Sequence, residues 1–553
     1  MGTEHWLFLV LISLSLAAIF HKLQSGRVFK SPAANLPPGP RVLPIVGSFR
    51  WLRLLMSPLE LRAAGRSLYA KLGPAFTLHL GPRPMVLIAD RILAHQVLVQ
   101  QGAVFSDRPN SPLVRRIVTC NSRTITSSHY GPTWRTLRRN LTSQILQSSR
   151  VKSYTVARRQ ALLLLLTRLA DRASRPRPVA GLFRSTMFRL LGSMCFGSVH
   201  DDKQIDEIGL AMRRLLAYVM SPFNILNFCA ARFSKILFRA QWAELESVLR
   251  QRRDALLPLI QARKSSGCGG GRDLAYVDTL FDLDLVEGGN GEERKLGEEE
   301  IVSLCSEFLM AGTDTTTTAL EWILANVIDR PDVQRKLIDE MREVIGEGGI
   351  VEEGDLEKLP YLQATVLEGL RRHPQGAILL PHAATEEAAV VGGGRIHGFS
   401  VPKKGMVTVL MAEIGWDPEV WEDPMSFRPE RFLGRCGFDI TGRKGIEMVP
   451  FGAGRRMCPG YALALLHLEY FLANLIWRFE WTAASGSGGI DMSEKENVSI
   501  VMKYPLQAYY CPNVASGSGY ELSGGLRTNS SSDTTLEELR INNMCYISPR
   551  FNH

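Results

Sequence analysis

The sequence predicts a mainly α protein with a small β portion, a single large domain behind an N-terminal membrane anchor. Apolar residues recur at helical spacing through most of the chain. Only short apolar runs, such as PMVLIAD (84–90) and MVTVLMA (406–412), have the length and composition of strands. Glycine-rich breaks at 264–273, 346–349 and 484–489 interrupt the helical pattern where surface loops belong. Neither an internal repeat nor a composition boundary divides the chain between about Leu36 and Tyr510.

Taken in order, the chain opens with MGTEHWLFLVLISLSLAAIF, uncharged from Trp6 to Phe20. As a helix these twenty residues reach about 30 Å, the thickness of a bilayer's hydrocarbon layer. Residues 1–21 are therefore expected to form a transmembrane signal-anchor. A cleaved signal peptide is the rival, with Ser15-Leu16-Ala17 as a small-x-small site, but no Lys or Arg precedes Trp6. Myristoylation fails because position 6 is Trp. Lys22, Arg27 and Lys30 follow the span and place the remainder on the cytosolic side, so the sequons at Asn140 and Asn529 would not be glycosylated. The basic and proline-rich linker, 22–48, contains Pro37, Pro38 and Pro40, a stiff spacer able to hold a domain at a fixed pose. The body is expected over 49–510. Residues 511–553 are polar and poor in apolar residues, the composition of a disordered extension.

Charge and cysteine usage narrow the class. A formal net charge of +10 over 553 residues is mild, and no nucleic-acid partner is expected. Between Asp107 and Asp171 there is no acidic residue but there are twelve Arg and Lys, read mostly as a solvated basic face and partly as a surface for something anionic. The nine cysteines are scattered without a CxxC pair, which argues against a disulfide framework or a structural zinc site.

Cys458 stands apart. It lies in FGAGRRMCPG (451–460), ahead of the apolar run YALALLHLEYFLANLIW. Pro459 suits a first helical turn, which would put Cys458 at a helix N-terminus, where free N–H groups and the dipole stabilise a thiolate. Gly452 and Gly454 allow a tight loop that aims backbone N–H groups at the sulfur, and Arg456 supplies a cation beside it. A buried inert cysteine leaves that combination unexplained, and a catalytic nucleophile lacks a histidine in suitable order. One thiolate without a second local ligand suits a metal that brings its own, as haem does.

The pattern Phe451, Gly454, Arg456, Cys458, Gly460 resembles the F-x-x-G-x-R-x-C-x-G signature of the cytochrome P-450 family of haem-thiolate monooxygenases. The rest of the chain carries the family's other motifs in its order. AGTDTTTTAL (311–320) resembles the A/G-G-x-D/E-T segment. There Thr315 can bond back to the Ala311 carbonyl and open the helix locally; the resemblance implies that Thr315 stabilises dioxygen and steers protons, with Asp314 as relay. Glu368 and Arg371, with Arg431 in RPERF, match a buried charge triad of structural role. Trp134 and Arg138 match W-x-x-x-R, and with Arg456 and His382 would reach haem propionates; a surface histidine is the rival for His382. The whole resembles the plant microsomal A-type group, near family eighty-nine.

That resemblance implies haem b bound through Cys458, with Phe451 in its binding loop. It also implies electrons from NADPH through a membrane flavoprotein reductase, and insertion of one atom of O2 into a small to medium lipophilic substrate by hydroxylation or epoxidation. The protein would be single-pass in the endoplasmic reticulum membrane, in contact with its lipid. Arg135, Arg139, Arg443 and Lys444 are candidates for the reductase face. Substrate contacts are expected before Thr315, at Gly376–Leu380 and at Arg115–Ile125. A haem-thiolate isomerase or dehydratase would need no reductase, and a non-catalytic haem-binding protein would need neither Asp314 nor Thr315. A membrane-anchored protein without haem would leave Arg138, Arg456 and Cys458 without a shared purpose.

The family usually ends shortly after VSIVMKYPLQA (498–508), whereas about forty residues follow here, with Ile547-Ser-Pro-Arg550 resembling the usual ending displaced. A retained intron or gene-model error is the expected explanation. Sequencing of transcripts across codons 508–547 is expected to find the stretch absent from mature message; its presence there overturns that reading.

Overall fold

A computed structural model describes residues 35–40 and 51–512, apart from 52–53, 55–56, 81–82, 172–176, 198–200, 222–223, 228–230, 267–273, 288–291, 347–348, 392–397, 436–437, 485–488 and 498. The expected anchor (1–21), most of the linker and nearly all of 511–553 lie outside these residues. Among the described residues no helix is long and apolar enough to cross a membrane.

Helices dominate. Those that build the site are α1 (Leu113–Val118), α2 (Pro132–Gln144), α3 (Thr155–Ala170), α4 (Ala180–Phe196), α5 (Glu298–Asp329), α6 (Pro331–Ile345), α7 (Pro360–Arg372) and α8 (Tyr461–Arg478). The main sheet joins β1 (Ala75–Leu80), β2 (Arg83–Ile88), β3 (His382–Ala383) and β4 (Met406–Val409) in the order β1-β2-β4-β3. The two runs expected as strands are neighbours in it: β2 and β4 pair in parallel, Val86 opposite Val407. Met85 to Ile88 and Val407 to Val409 are all buried, so these strands read as continuous apolar runs rather than alternating ones. The second run stops short as a strand, because Met411–Gly415 turns into a helix. A second sheet pairs β5 (Phe479–Ala483) with β6 (Gln507–Pro512), which continues past the expected domain edge at Tyr510.

The described part of the proline segment is docked on this body. Thr77 of β1 donates its N–H to the Pro38 carbonyl and its hydroxyl to the Pro37 carbonyl, both at 2.9 Å. Prolines cannot donate in return, so they cover the edge of β1 without extending the ladder. Asn140 of the first sequon is buried, its amide bonded to the Thr279 hydroxyl at 2.8 Å.

The core is organised around α5. Its 32 residues make a rod about 48 Å long. The C-terminal half, Ala319–Ile328, is buried against α3, α6, α7 and α8; the N-terminal half, Ile301–Leu309, is buried in a second cluster with residues of α2 and α4. Between the halves, Ala311 and Thr315 are exposed. Mid-helix Gly312 has a packing reason: a Cβ there would lie 2.7 Å from Cδ1 of Leu191 on α4. Glycine costs about 1 kcal/mol in helix propensity and lets the two helices close together.

At the end of α7, Glu368 and Arg371 form a two-pronged ion pair, Nε to Oε2 at 2.7 Å and Nη2 to Oε1 at 2.8 Å, with both side chains fully buried. Arg431 reaches the same carboxylate at 3.3 Å, and the Arg428 N–H donates to it at 2.9 Å. Arg371 also donates to the carbonyls of Gly415 and Pro424, each at 2.8 Å. Three distant segments are thereby tied to one helix end. Glu368→Gln is expected to lower unfolding free energy by about 3–5 kcal/mol, since it leaves a buried guanidinium uncompensated; an unchanged denaturation midpoint and holoprotein yield would exclude the structural role.

Candidate cofactor site

The Cys458 loop is shaped by what its glycines omit. Gly452 and Gly454 adopt φ of +70° and +69°, the left-handed region open to glycine. A Cβ on Gly454 would fall 1.8 Å from the Leu98 carbonyl oxygen, so the loop lies directly on the helical turn Gln96–Gln100. The Cys458 N–H donates to the Phe451 carbonyl at 2.8 Å and closes the turn. Phe451 thus acts in this loop through its backbone, while its half-buried ring packs against the core beside Tyr461.

Two expectations change here. Helix α8 begins at Tyr461 with Gly460 as its cap, so Pro459 precedes the helix and Cys458 sits two residues before the cap. The N–H that reaches the sulfur is that of Gly460. The protein alone also does not favour the thiolate: burial pushes the Cys458 thiol up, against the opposing pull of the Gly460 N–H and the Arg138 charge. A metal cation on the sulfur reverses that balance, because a coordinating thiol is deprotonated outright.

Cations gather around the loop. Arg456 donates to the carbonyls of Ser106 (2.7 Å), Ser128 (2.7 Å) and Ile125 (3.3 Å), and its guanidinium lies 4.3 Å from the centroid of the Trp134 ring. Trp134 donates its indole N–H to the Ile125 carbonyl at 3.2 Å, so its one polar group is engaged by the chain and its ring serves as a platform for Arg456. Arg138, one turn further along α2, donates to the Met457 carbonyl at 2.6 Å. The buried Arg108, absent from the sequence-based set, donates to the carbonyls of Thr126, Leu380 and Pro381. Burial pushes Arg108 down to about 9, with the Arg456 charge adding to the effect, and burial pushes Arg456 down to about 10. His382 is buried in β3 with Nδ1 2.7 Å from the Phe105 carbonyl; burial, then the Arg108 charge, depress it to about 3, so it is neutral.

On α5, the Thr315 hydroxyl donates to the Ala311 carbonyl at 2.7 Å, as its spacing predicts. The helix nevertheless runs unbroken through 311–315, because that bond shares a carbonyl without displacing the backbone ladder. Asp314 turns to α4, where Arg184 pairs with it at 3.1 Å; no hydrogen bond joins Asp314 to Thr315. Glu307, one turn before Ala311, accepts from the N–H groups of Ile125 (2.8 Å) and Thr126 (2.9 Å) and from the Thr126 hydroxyl. Glu307 pins to α5 the loop that feeds Arg456; its one signal in the sequence is a lone acid among the apolar residues of SEFLM.

These donors fit haem. Arg108, Arg138 and Arg456 spend their hydrogen bonds on neutral carbonyl oxygens, which leaves their charges available to an acidic group. Among the described residues no group of three or more His, Cys, Asp or Glu is placed to hold a metal ion, so iron at Cys458 has to bring further ligands, as a porphyrin does. One half-buried thiol set among three arginine side chains is thus a donor set that fits a cysteine-ligated haem.

Comparison with known proteins agrees. Residues 37–511 match the family model for cytochrome P-450. Cytochrome P-450 89A9 of Arabidopsis thaliana is 42% identical over 92% of this chain and 98% of its own. Flavonoid 3'-monooxygenase of the same plant is 28% identical over 92% and 98%. A zebra fish cytochrome P-450 structure with progesterone aligns with a TM-score of 0.67 at 24% identity, covering 82% of this chain and 99% of the other. The chain belongs to the cytochrome P-450 family and is a monooxygenase of it, near family eighty-nine.

Proposed function

We propose that the protein is a membrane-anchored monooxygenase carrying haem b. It would take electrons from NADPH through a flavoprotein reductase and hydroxylate or epoxidise a lipophilic small molecule at the endoplasmic reticulum membrane. The carrying observation is the set of cations around the Cys458 loop, tied to α5 through the Ile125–Thr126 segment that Glu307 holds. Bound haem supplies dioxygen activation; the chain supplies position, dryness and protons. Cys458 would hold the iron through its sulfur, with the Gly460 N–H tempering the charge there. Arg108, Arg138 and Arg456 would pair with the cofactor's carboxylates, and His382 would join them once a carboxylate beside it raises its basicity. Thr315 presents a hydroxyl from the exposed face of α5, and its bond to the Ala311 carbonyl fixes the proton's direction. Asp314, half-buried and paired with Arg184, relays protons by exchanging that partner for water.

Arg135, Arg139, Arg443 and Lys444 are exposed. They form a basic face for the reductase, joined by exposed Arg455, which stacks on Tyr130. The anchor at residues 1–21 and the docked proline segment set the pose at the membrane. The oxidation class agrees with relatives bearing the names flavonoid 3'-monooxygenase and costunolide synthase.

Reduced protein under carbon monoxide is expected to show the red-shifted Soret band of a thiolate ligand, and Cys458→Ala to abolish it; persistence of that band in the variant refutes Cys458 as ligand. Thr315→Ala is expected to keep the band while most NADPH electrons leave as hydrogen peroxide. Full coupling of NADPH to product in Thr315→Ala would refute the proton-steering role.

A further inference from the structure

Arg115 is a cation for which the described structure provides no partner. It lies on α1, which runs beside α5: the Ser303 hydroxyl donates to the Val118 carbonyl at 2.8 Å, and Met310 packs against the cluster containing Val114 and Val118. One turn back from Val118, Arg115 comes under the charge of Glu307, one turn on from Ser303. Its guanidinium nonetheless makes no hydrogen bond and no ion pair. The Glu307 carboxylate is already taken by Ile125 and Thr126. Burial pushes Arg115 down from the usual arginine range, the Glu307 charge opposing, and Arg115 in turn depresses Arg108. Arg158 and Arg252 each have one nitrogen sealed off without a partner, whereas Arg115 is half-buried with no sealed atom, so its unpaired nitrogens keep some access to solvent.

A guanidinium presents five N–H donors in a planar fork that matches a carboxylate. Leaving it crowded by protein and unpaired costs free energy that an anionic ligand would recover. Along α5, Ala311 lies one turn beyond Glu307 and Thr315 two turns beyond, an axial rise of about 12 Å. Both are exposed, with apolar Phe308 and Met310 in the same stretch.

Resting on the monooxygenase reading above, we infer that the substrate is a lipophilic carboxylic acid whose carboxylate pairs with Arg115, while its apolar body runs along α5 and presents the oxidised carbon near Thr315. Arg115 is then the residue that sets specificity for an acid over its neutral analogues.

The test uses three acids of different shape, dodecanoic, 2-naphthylacetic and abietic, each with its methyl ester. Binding to the holoprotein is read by the Soret spin-state shift and, independently, by equilibrium dialysis. For at least one pair the wild type is expected to bind the acid at least about tenfold more tightly than the ester, the scale of a charge-assisted hydrogen bond. Arg115→Gln is expected to bring acid and ester within about twofold without weakening the ester, and Arg115→Lys to keep part of the preference. Acids bound no better than esters in all three pairs, or a preference that survives Arg115→Gln, overturns the inference. The wild-type comparison decides by itself should Arg115→Gln fail to fold. A wild type without the carbon monoxide band fails the haem-thiolate reading instead, whereas a normal band without acid preference fails this inference alone.

Discussion

The site depends on the contact between Gly454 and the Leu98 carbonyl. No side chain fits there, since even a Cβ would sit 1.8 Å from that oxygen. The contact fixes the height of the loop, and the loop fixes everything that follows in sequence. Arg456 can then reach the carbonyls of Ser106 and Ser128, the Met457 carbonyl meets Arg138, and Cys458 closes on Phe451. One missing methyl group thus sets the position of the sulfur and of two of its cations. The Trp134 ring adds a flat surface under Arg456 that holds the guanidinium without neutralising it.

The second constraint is the long helix. Packed cores resist deformation, and α5 is gripped by two of them, one at each end. The open turn between has little freedom to move, although Ala311 and Thr315 are exposed on it. Close approach to α4 at Gly312 adds a lateral restraint. Rigidity there has a chemical use: a hydroxyl that is to direct protons must be held in place before the reaction begins.

The fold class, the strand pair at 84–90 and 406–412 and the Cys458 loop were legible because each is local, signalled by a periodicity or a glycine pair. The Glu368–Arg371 pair was legible only through the family resemblance and its companion Arg431, because an E-x-x-R spacing also occurs at Glu537 and Arg540. Arg108, Arg184 and Glu307 were not legible, because their partners lie far along the chain. Arg184 and Asp314 are 130 residues apart, and Arg108 and Leu380 are 272 apart. The basic stretch after Asp107 shows the same limit. Arg116, Arg135, Arg139 and Lys152 are the solvated face that composition suggests. Arg123, Arg158, Arg159 and Arg168 instead pair with Glu300, Glu353, Glu352 and Asp202, all from other segments. The start of α8 was misplaced for a physical reason of another kind. Proline is equally at home just before a helix, and Gly460, free of a side chain, takes the cap at φ −92°, ψ 16°.

The electrostatics of the site point one way. Burial holds Arg108, Arg456 and Arg115 below their usual range and raises the Cys458 thiol, so each of these groups is held in surroundings unfavourable to its charged form. For a protein without ligands these are costs. They become gains when anions meet the guanidiniums and a metal cation meets the sulfur, because attraction between charges is stronger where water is excluded. Any ligand that binds the folded chain alone also stabilises it by mass action. Cofactor and folded protein therefore hold one another in place, and the polypeptide is built around charges it does not itself contain. On the reading proposed above, Arg115 of α1 extends the same logic: the cations beside Cys458 would answer to the cofactor, and the one under the charge of Glu307 would answer to what the cofactor acts upon.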